Sequence, residues 1–273
     1  GDPAEALAGA SLVILAIPAQ TLAMNLTAWR ELMEPDAVVV SLMKGIELGT
    51  MRRMSQIISE DGGIPAERVA VVSGPNLARE IAQRAPAATT VACPDEKSAR
   101  LLQDACNTNY FRPYWTTDVV GSEIGGSVKN VIALANGMAV GLGYGANSQA
   151  SLITRGLAEM SRLGVALGAN PMTFLGLAGM GDLIATCSSP LSRNRTFGEN
   201  LGKGLTVDET IAVTKQTCEG VKSCLPILEL GREHGVDMPI TEQVVQVVHH
   251  GMAPADMLGA LMGRQTKPEM GAE

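Results

Sequence analysis

Short apolar runs alternate with helix-like segments up to Thr116, and this alternation restricts the fold more than any other feature. Apolar runs at 11–18 (SLVILAIP) and 37–43 (AVVVSLM) are followed by others at 68–72, 87–92 and 110–115. Continuous apolar runs of this length are typical of strands that are covered on both faces. Helix-like segments lie between them, at 21–33, at 50–60, before Gln83 and at 96–106. The pattern predicts an α/β domain with a mostly parallel, doubly wound sheet.

The pattern changes after Thr116, and almost only helix-like segments follow. A chain of 273 residues is long enough for two domains. We therefore predict a sheet domain over residues 1–121 and an all-helical domain over residues 122–273.

One lysine lies within the first predicted helix of the second domain, which reads GSVKNVIALANG over residues 126–137. Apolar residues recur there at three- and four-residue spacing, as on the buried face of a helix. A helix that begins near residue 126 would place Lys129 in its first turn, where the helix dipole disfavours a cation. Glycines at 125 and 126 would let a ligand or another backbone approach the lysine. The alternative is a surface lysine whose ammonium group reaches water.

Polar residues also follow two of the predicted strands. Lys44 follows the second strand, and Ser73-Gly74-Pro75-Asn76 ends the third. Ligands of open parallel sheets bind beyond the carboxyl ends of the strands, so these clusters are candidate binding residues. The alternatives are a solvated loop lysine and an ordinary Gly-Pro turn.

A second polar stretch lies in the helical half, where GMGDLIAT at 179–186 precedes Ser192-Arg193-Asn194. Ser189-Pro190 looks like a helix N-cap followed by proline at the first helical position. The next residues would then lie at a helix N-terminus, which binds phosphate through free backbone N–H groups, and Arg193 could add a bidentate contact. The alternative is an ordinary capped helix with an exposed arginine.

No G-x-G-x-x-G fingerprint follows the first predicted strand, although a dinucleotide-binding fold normally opens with one. The glycine-rich stretches at 141–145 and 176–181 do not follow a strand pattern, so we interpret them as interhelical loops. The stretch at 198–204 lacks the spacing of a phosphate-binding P-loop. We expect the sequence to begin inside the nucleotide-binding domain, without its first βαβ unit.

Composition excludes several classes of protein. A net charge of −7 argues against a nucleic-acid partner. The sequence has no run of 18 apolar residues, so we predict no membrane span, and residues 1–10 lack the basic start of a secretion signal. Five cysteines without a C-x-x-C pair suggest reduced thiols and a cytoplasmic protein. The three histidines have no acidic or cysteine companions at ligand spacing, so we predict no metal site.

Several separated motifs together resemble one enzyme family. The Gly-Ser-x-Lys-Asn core around Lys129, the GxGD and SRN motifs, and Glu219 within 216–220 occur in the order found in bacterial NAD(P)-dependent glycerol-3-phosphate dehydrogenases. Ser127 replaces the usual alanine, and Asn76 stands where the family often has serine or threonine. The resemblance implies a Rossmann-type sheet followed by a helical domain of the 6-phosphogluconate-dehydrogenase-like type. It also implies NADH- or NADPH-dependent reduction of dihydroxyacetone phosphate to sn-glycerol 3-phosphate for phospholipid synthesis. Independently of the resemblance, a homodimer is the common default for soluble proteins.

The resemblance also assigns roles to individual residues. A carbonyl that receives hydride needs a positioned acid for its oxygen, and Lys129 is the candidate. Nearby Lys44 would lower the pKa of Lys129 toward neutrality. The substrate-binding residues would be Lys44, Gly74, Asn76, Lys129, Asn130, Asp182, Thr186, Ser192, Arg193 and Asn194, and the cofactor-binding residues Lys44, Ala78, Arg193, Thr217 and Glu219.

Two other functions remain open at this stage. A dehydrogenase for another small hydroxy acid or hydroxy ketone would have a similar helical domain but would need no phosphate clamp. A catalytically silent binding or assembly protein is the second alternative, because the glycine fingerprint is missing.

Overall fold

The first half of the chain forms a five-stranded sheet with strand order β1-β2-β3-β4-β5. The computed structural model describes residues 1–215, 218–266, 268 and 269. All neighbouring strands are parallel except β3 and β4, which are antiparallel. The sheet is therefore mostly parallel, as predicted. Its strands are β1 (Leu12–Leu15), β2 (Val38–Ser41), β3 (Val69–Ser73), β4 (Ala87–Ala92) and β5 (Phe111–Thr116).

Helices cover both faces of β2 and β3, which explains their continuous apolar runs, whereas Ile14 of β1 is 54% exposed, so the prediction of cover on both faces was wrong for β1. In β2, Val39 packs into one apolar cluster, while Val38 and Val40 pack into a second one across the sheet. Leu26 belongs to the first cluster and Leu102 to the second. The first helix-like segment is shorter than predicted, since the α-helix ends at Trp29 and a 3-10 turn follows. The helices of this half are α1 (Pro3–Leu7), α2 (Leu22–Trp29), α3 (Met54–Glu60), α4 (Ala78–Ala82) and α5 (Glu96–Cys106).

The described residues after Thr116 form helices and contain no strand, as the sequence predicted. The largest apolar cluster surrounds the first of these helices, whose residues are almost all buried. No described helix is long and apolar enough to cross a bilayer. The helices are α6 (Val119–Gly141), α7 (Ala146–Ala166), α8 (Asp182–Ser188), α9 (Arg193–Gly202), α10 (Val207–Thr214), α11 (Glu219–Glu233), α12 (Pro239–His250) and α13 (Pro254–Met262).

Helix α6 begins earlier than the sequence analysis predicted. Asp118 is its N-cap, and its carboxylate accepts a hydrogen bond from the Gly121 amide at 2.9 Å. Lys129 therefore lies near the middle of a 23-residue helix. The predicted position in the first turn was wrong, so the argument from the helix dipole does not apply to this lysine.

The glycine-rich stretches of the helical half serve helix packing. A Cβ added to Gly198 of α9 would lie 2.1 Å from the carbonyl oxygen of Leu134, and one on Gly137 of α6 would lie 2.1 Å from that of Arg195. The two helices approach this closely because these positions lack side chains. Residues 141–145 lead from α6 into α7 as predicted, whereas Leu177–Gly181 forms a π-helical turn before α8 and not the predicted loop.

Candidate active site

The candidate active site lies where the carboxyl ends of β2 and β3 meet α6 and α8. Lys44 follows the end of β2, and Gly74 directly follows β3. Helix α6 lies against both strand ends because Gly126 leaves room, since a Cβ there would be 2.8 Å from Ser73 Oγ and 3.3 Å from Lys44 Cγ. The two predicted strand-end clusters thus border one site with the central helix.

Asp182 is the centre of this site. It opens α8, and its carboxylate binds one ammonium group on each oxygen. Lys129 Nζ lies 2.5 Å from Oδ1, and Lys44 Nζ contacts Oδ2. Lys44 also donates a hydrogen bond to the Gly74 carbonyl oxygen at 3.1 Å. Two lysines that are distant in sequence therefore share one carboxylate.

Lys129 is held by a second contact and is almost completely buried. Its ammonium group donates to Thr186 Oγ1 at 2.8 Å, and Thr186 lies one helical turn after Asp182. Lys129 is 7% exposed and Asp182 is 1% exposed. Burial fixes the position of the ammonium group and removes most of its hydration.

Burial and a neighbouring charge lower the pKa of Lys129 to about 7. Loss of hydration is the largest cause, and repulsion from Lys44 is the second. Only the repulsion from Lys44 was predicted from the sequence, because a lysine in the first turn of a helix would not be expected to be buried. Asp182 opposes both effects, since its carboxylate raises the pKa of Lys129. A lysine with a pKa near 7 can both donate and accept a proton at neutral pH.

The two ammonium groups also act on Asp182. Burial would raise the pKa of this carboxyl, but Lys44 and Lys129 outweigh burial and hold the pKa below its ordinary value. Asp182 therefore stays ionised at neutral pH and keeps both lysines in place.

The N-terminus of α9 lies beside this cluster. Ser192 is its N-cap, with its hydroxyl accepting from the Arg195 amide at 3.3 Å. The predicted cap at Ser189-Pro190 was wrong, because the helix begins only at Arg193. Asn194 Nδ2 donates to Asn130 Oδ1 at 2.9 Å, which connects α9 to α6 one residue after Lys129. Arg193 is exposed at the first turn.

Asn194 has a further role that the sequence analysis missed. Its Oδ1 accepts hydrogen bonds from Cys218 Sγ and the Gly220 amide, both at 2.9 Å. The side chain thereby fixes the start of α11 against α9 and α6. A cysteine without a metal or disulfide partner gave no signal for this contact in the sequence.

The turn after β3 borders the site from the sheet side. Gly74 has a φ of +151°, and a Cβ there would lie 3.1 Å from Thr89 Oγ1. Asn76 Nδ2 donates to Thr89 Oγ1 at 2.8 Å, while Asn76 Oδ1 has no hydrogen-bond partner among the described residues. Ala78 is the first residue of α4 and is exposed. The Asn76 side chain therefore joins this turn to β4.

Glu219 lies at the start of α11, where it faces the sheet domain. Burial raises the pKa of this carboxyl, while the nearby charges of Lys222 and Arg193 oppose the increase. Its Oε2 is buried and unpartnered among the described residues. An unpartnered buried acceptor fits a ligand with N–H donors, as the nicotinamide carboxamide has. Thr217, the other predicted cofactor residue of this segment, lies outside the described residues.

Glu123 connects the two halves through Arg53 and Ser55. Its carboxylate lies 2.6 Å from Arg53 Nη1 and accepts hydrogen bonds from the Ser55 amide at 2.8 Å and from Ser55 Oγ at 2.5 Å. Because Glu123 is 5% exposed, this ion pair fixes α3 against α6 in a buried contact.

The sequence matches two family models in consecutive order. The N-terminal model of NAD-dependent glycerol-3-phosphate dehydrogenase matches residues 1–99, and the C-terminal model matches residues 118–259. The chain belongs to this family. Membership makes it an NAD(P)-dependent oxidoreductase. Lys129 lies in the C-terminal match and Lys44 in the N-terminal match.

Relatives from this family align over nearly all of the chain. It is 63% identical over 268 residues to glycerol-3-phosphate dehydrogenase [NAD(P)+] of Streptomyces griseus, covering 98% of this chain and 80% of the relative. The enzyme of the same name from Thermobifida fusca is 64% identical with the same coverage. The crystal structure of glycerol-3-phosphate dehydrogenase from Coxiella burnetii superposes with a TM-score of 0.91 at 34% identity, covering 96% of this chain and 80% of that one.

Proposed function

We propose that this protein reduces dihydroxyacetone phosphate to sn-glycerol 3-phosphate with NADH or NADPH, and that the reaction is reversible. The observation that carries the proposal is the buried Lys129, which shares Asp182 with Lys44 and has a pKa near 7. The family and the names of the relatives support this substrate.

Lys129 acts as the proton donor in the direction of reduction. When bound, NADH or NADPH supplies the hydride to the carbonyl carbon, and negative charge develops on the carbonyl oxygen. Lys129 Nζ transfers its proton to that oxygen, which leaves a neutral amine in place of the ammonium group. Thr186 and Asp182 hold Nζ in one position, so little reorganisation precedes the transfer. In the reverse direction the neutral amine removes the hydroxyl proton.

Lys44 has two roles in the proposal. Its charge lowers the pKa of Lys129, and its ammonium group lies at the strand ends, where it can also contact the substrate and the cofactor. Gly74 and Asn76 border the substrate from the sheet side, and Ala78 lies near the cofactor.

The N-terminus of α9 binds the phosphate in this proposal. Ser192, Arg193 and Asn194 occupy the cap and the first turn, where backbone N–H groups and an arginine favour an anion. Support comes from the hydrogen bond between Asn194 and Asn130, which joins this helix end to α6 one residue after Lys129. Phosphate and carbonyl of one small molecule can then be held by neighbouring groups.

Replacing Arg193 tests this assignment. Arg193→Met should raise the KM for dihydroxyacetone phosphate by about tenfold or more, because a charge-assisted hydrogen bond is lost. Activity on unphosphorylated dihydroxyacetone should change little. Arg232→Met is the control, since Arg232 is an exposed arginine that pairs with Glu242 on the surface. An unchanged KM in Arg193→Met would favour a dehydrogenase for another small hydroxy acid or hydroxy ketone.

Titration with NADPH tests the alternative that the protein is catalytically silent. We expect binding and turnover, and failure of both would support a silent protein. Supply of the glycerol backbone for phospholipids, a cytoplasmic location and a homodimer stay predictions of the same proposal.

A further inference from the structure

The side chain of Gln20 binds the segment that carries Lys44. Gln20 lies in the 3-10 turn Ala19–Thr21, which follows β1. Its Nε2 donates a hydrogen bond to the Ile46 carbonyl oxygen at 2.8 Å, and its Oε1 accepts one from the Leu48 amide at 2.9 Å. Both ends of this amide therefore bind the backbone of the segment that follows β2, and only one orientation of the amide satisfies both partners.

These two hydrogen bonds lie directly after Lys44 in the sequence. Ile46, two residues after Lys44, is completely buried in the apolar cluster of the helical half. Gly45 packs against the turn after β1, since a Cβ there would lie 2.8 Å from the Ala19 Cβ. The backbone that follows Lys44 is thus fixed between this turn and the helices.

The contacts of the Lys44 ammonium group depend on this backbone position. The group contacts Asp182 and the Gly74 carbonyl oxygen, but the side chain is 18% exposed, so an ammonium group that is not held can turn toward water. Holding a lysine side chain in one rotamer also costs conformational entropy. The Lys44 carbonyl oxygen lies 3.5 Å from Asn130 Nδ2, which is a weaker contact than either hydrogen bond of Gln20.

We propose that Gln20 is a positioning residue, which holds the Lys44 ammonium group against Asp182 and beside Lys129. The inference rests on the proposed function, in which Lys129 donates the proton. Gln20 acts only through Lys44, whose repulsion is the second cause of the lowered pKa of Lys129. Without Gln20 the Lys44 ammonium group moves away from Lys129, so the pKa of Lys129 rises.

The test is the pH dependence of kcat/KM for dihydroxyacetone phosphate in Gln20→Met, which keeps the length of the side chain and removes both hydrogen bonds. An increase in the separation of two unit charges from about 5 to about 6.5 Å, at an effective dielectric of about 20, changes a pKa by about half a unit. The fall in kcat/KM should therefore move to higher pH by about half a unit. Gln20→Asn, one methylene shorter, cannot reach both partners and should shift the fall in the same direction.

A double variant separates positioning from a general effect on the fold. Lys44→Met has no ammonium group to position, so Gln20→Met should cause no further shift in that background. A glutamine that only stabilises the sheet would not show this dependence on Lys44. Gln149→Met is the matched control, because Gln149 lies on α7 and donates one hydrogen bond to the Tyr144 carbonyl oxygen at 3.4 Å. Its pH profile should coincide with that of the parent.

The results separate this inference from the proposed function. If the fall in kcat/KM of Gln20→Met stays at the pH of the parent, or shifts equally with and without Lys44, the positioning role is wrong while the proposed function stands. If the parent protein does not reduce dihydroxyacetone phosphate, both are overturned.

Discussion

The pKa of Lys129 should rise when the neighbouring ammonium group is removed. Lys44 and Lys129 contact the two oxygens of Asp182, so we take their charges to be about 4–5 Å apart. At this separation and an effective dielectric of about 20, repulsion between two unit charges is about 3 kcal/mol, equivalent to about two pKa units. The carboxylate between them offsets part of this repulsion. We therefore expect Lys44→Met to raise the pKa of Lys129 by about one to two units.

The pH dependence of kcat/KM reports this pKa in the free enzyme. In the proposed mechanism, reduction of dihydroxyacetone phosphate requires protonated Lys129, so kcat/KM should fall as pH rises through the pKa of about 7 in the parent. In Lys44→Met the fall should move to higher pH, and the maximum should decrease because the proposed contact between Lys44 and the substrate is lost. Burial is the larger cause of the lowered pKa of Lys129, and it remains in Lys44→Met. The pKa of Lys129 in this variant should therefore stay below the ordinary value of 10.5.

Lys203→Met is the matched control, because Lys203 is an exposed lysine that pairs with Glu199 on α9. Its pH profile should coincide with that of the parent. If the fall in kcat/KM of Lys44→Met stays at the same pH or moves to lower pH, repulsion between the two lysines does not set the pKa of Lys129.

Three further changes test other contacts. Asp182→Asn removes the carboxylate that raises the pKa of Lys129, so the fall in kcat/KM should move to lower pH, and an upward shift would contradict this. Burial raises the pKa of Glu159 from 4.5 to about 7, so stability should fall as pH rises through this window. Glu159→Gln should remove up to about 3 kcal/mol of this dependence in urea titrations, and an unchanged slope would contradict it. Gly198→Ala should lower the free energy of unfolding by about 1–3 kcal/mol through the clash with α6, whereas Gly259→Ala, with open space around it, should increase it slightly.

The sheet could be predicted from the sequence because its strands are short apolar runs, although only β2 and β3 are buried on both faces. The apolar runs at 11–18 and 37–43 contain β1 and β2, and Lys44 follows β2 as predicted. The antiparallel pairing of β3 and β4 could not be predicted, since the direction of β4 depends on the path of its connection across the sheet. The alternation of strands and helices predicts the layers of the domain, but it does not predict the direction of each strand in the sheet.

Helix starts were less predictable than helix interiors. The apolar spacing around Lys129 identified α6, but the true start at Val119 depends on the Asp118 cap. A similar error placed the cap of α9 at Ser189 when it lies at Ser192. Several short polar residues precede each helix, and tertiary contacts decide which of them caps it.

The contacts within the site depend on the tertiary structure. The sequence motifs predicted that Lys44, Lys129 and Asp182 belong to the site. Only the structure shows that the carboxylate of Asp182 binds both lysines. The contacts of Gln20 with the segment after Lys44 likewise had no sequence signal. These contacts form between residues that are distant in the sequence, so the spacing of residues within one motif does not predict them.

The most direct test of this account is single-turnover reduction of dihydroxyacetone phosphate by Lys129→Ala in the intact protein, with NADH affinity measured in parallel. The account predicts a rate at least about 100-fold below that of the parent, with NADH affinity little changed, because a positioned proton donor contributes roughly this factor. A rate within about tenfold of the parent would contradict the role of Lys129 as the proton donor.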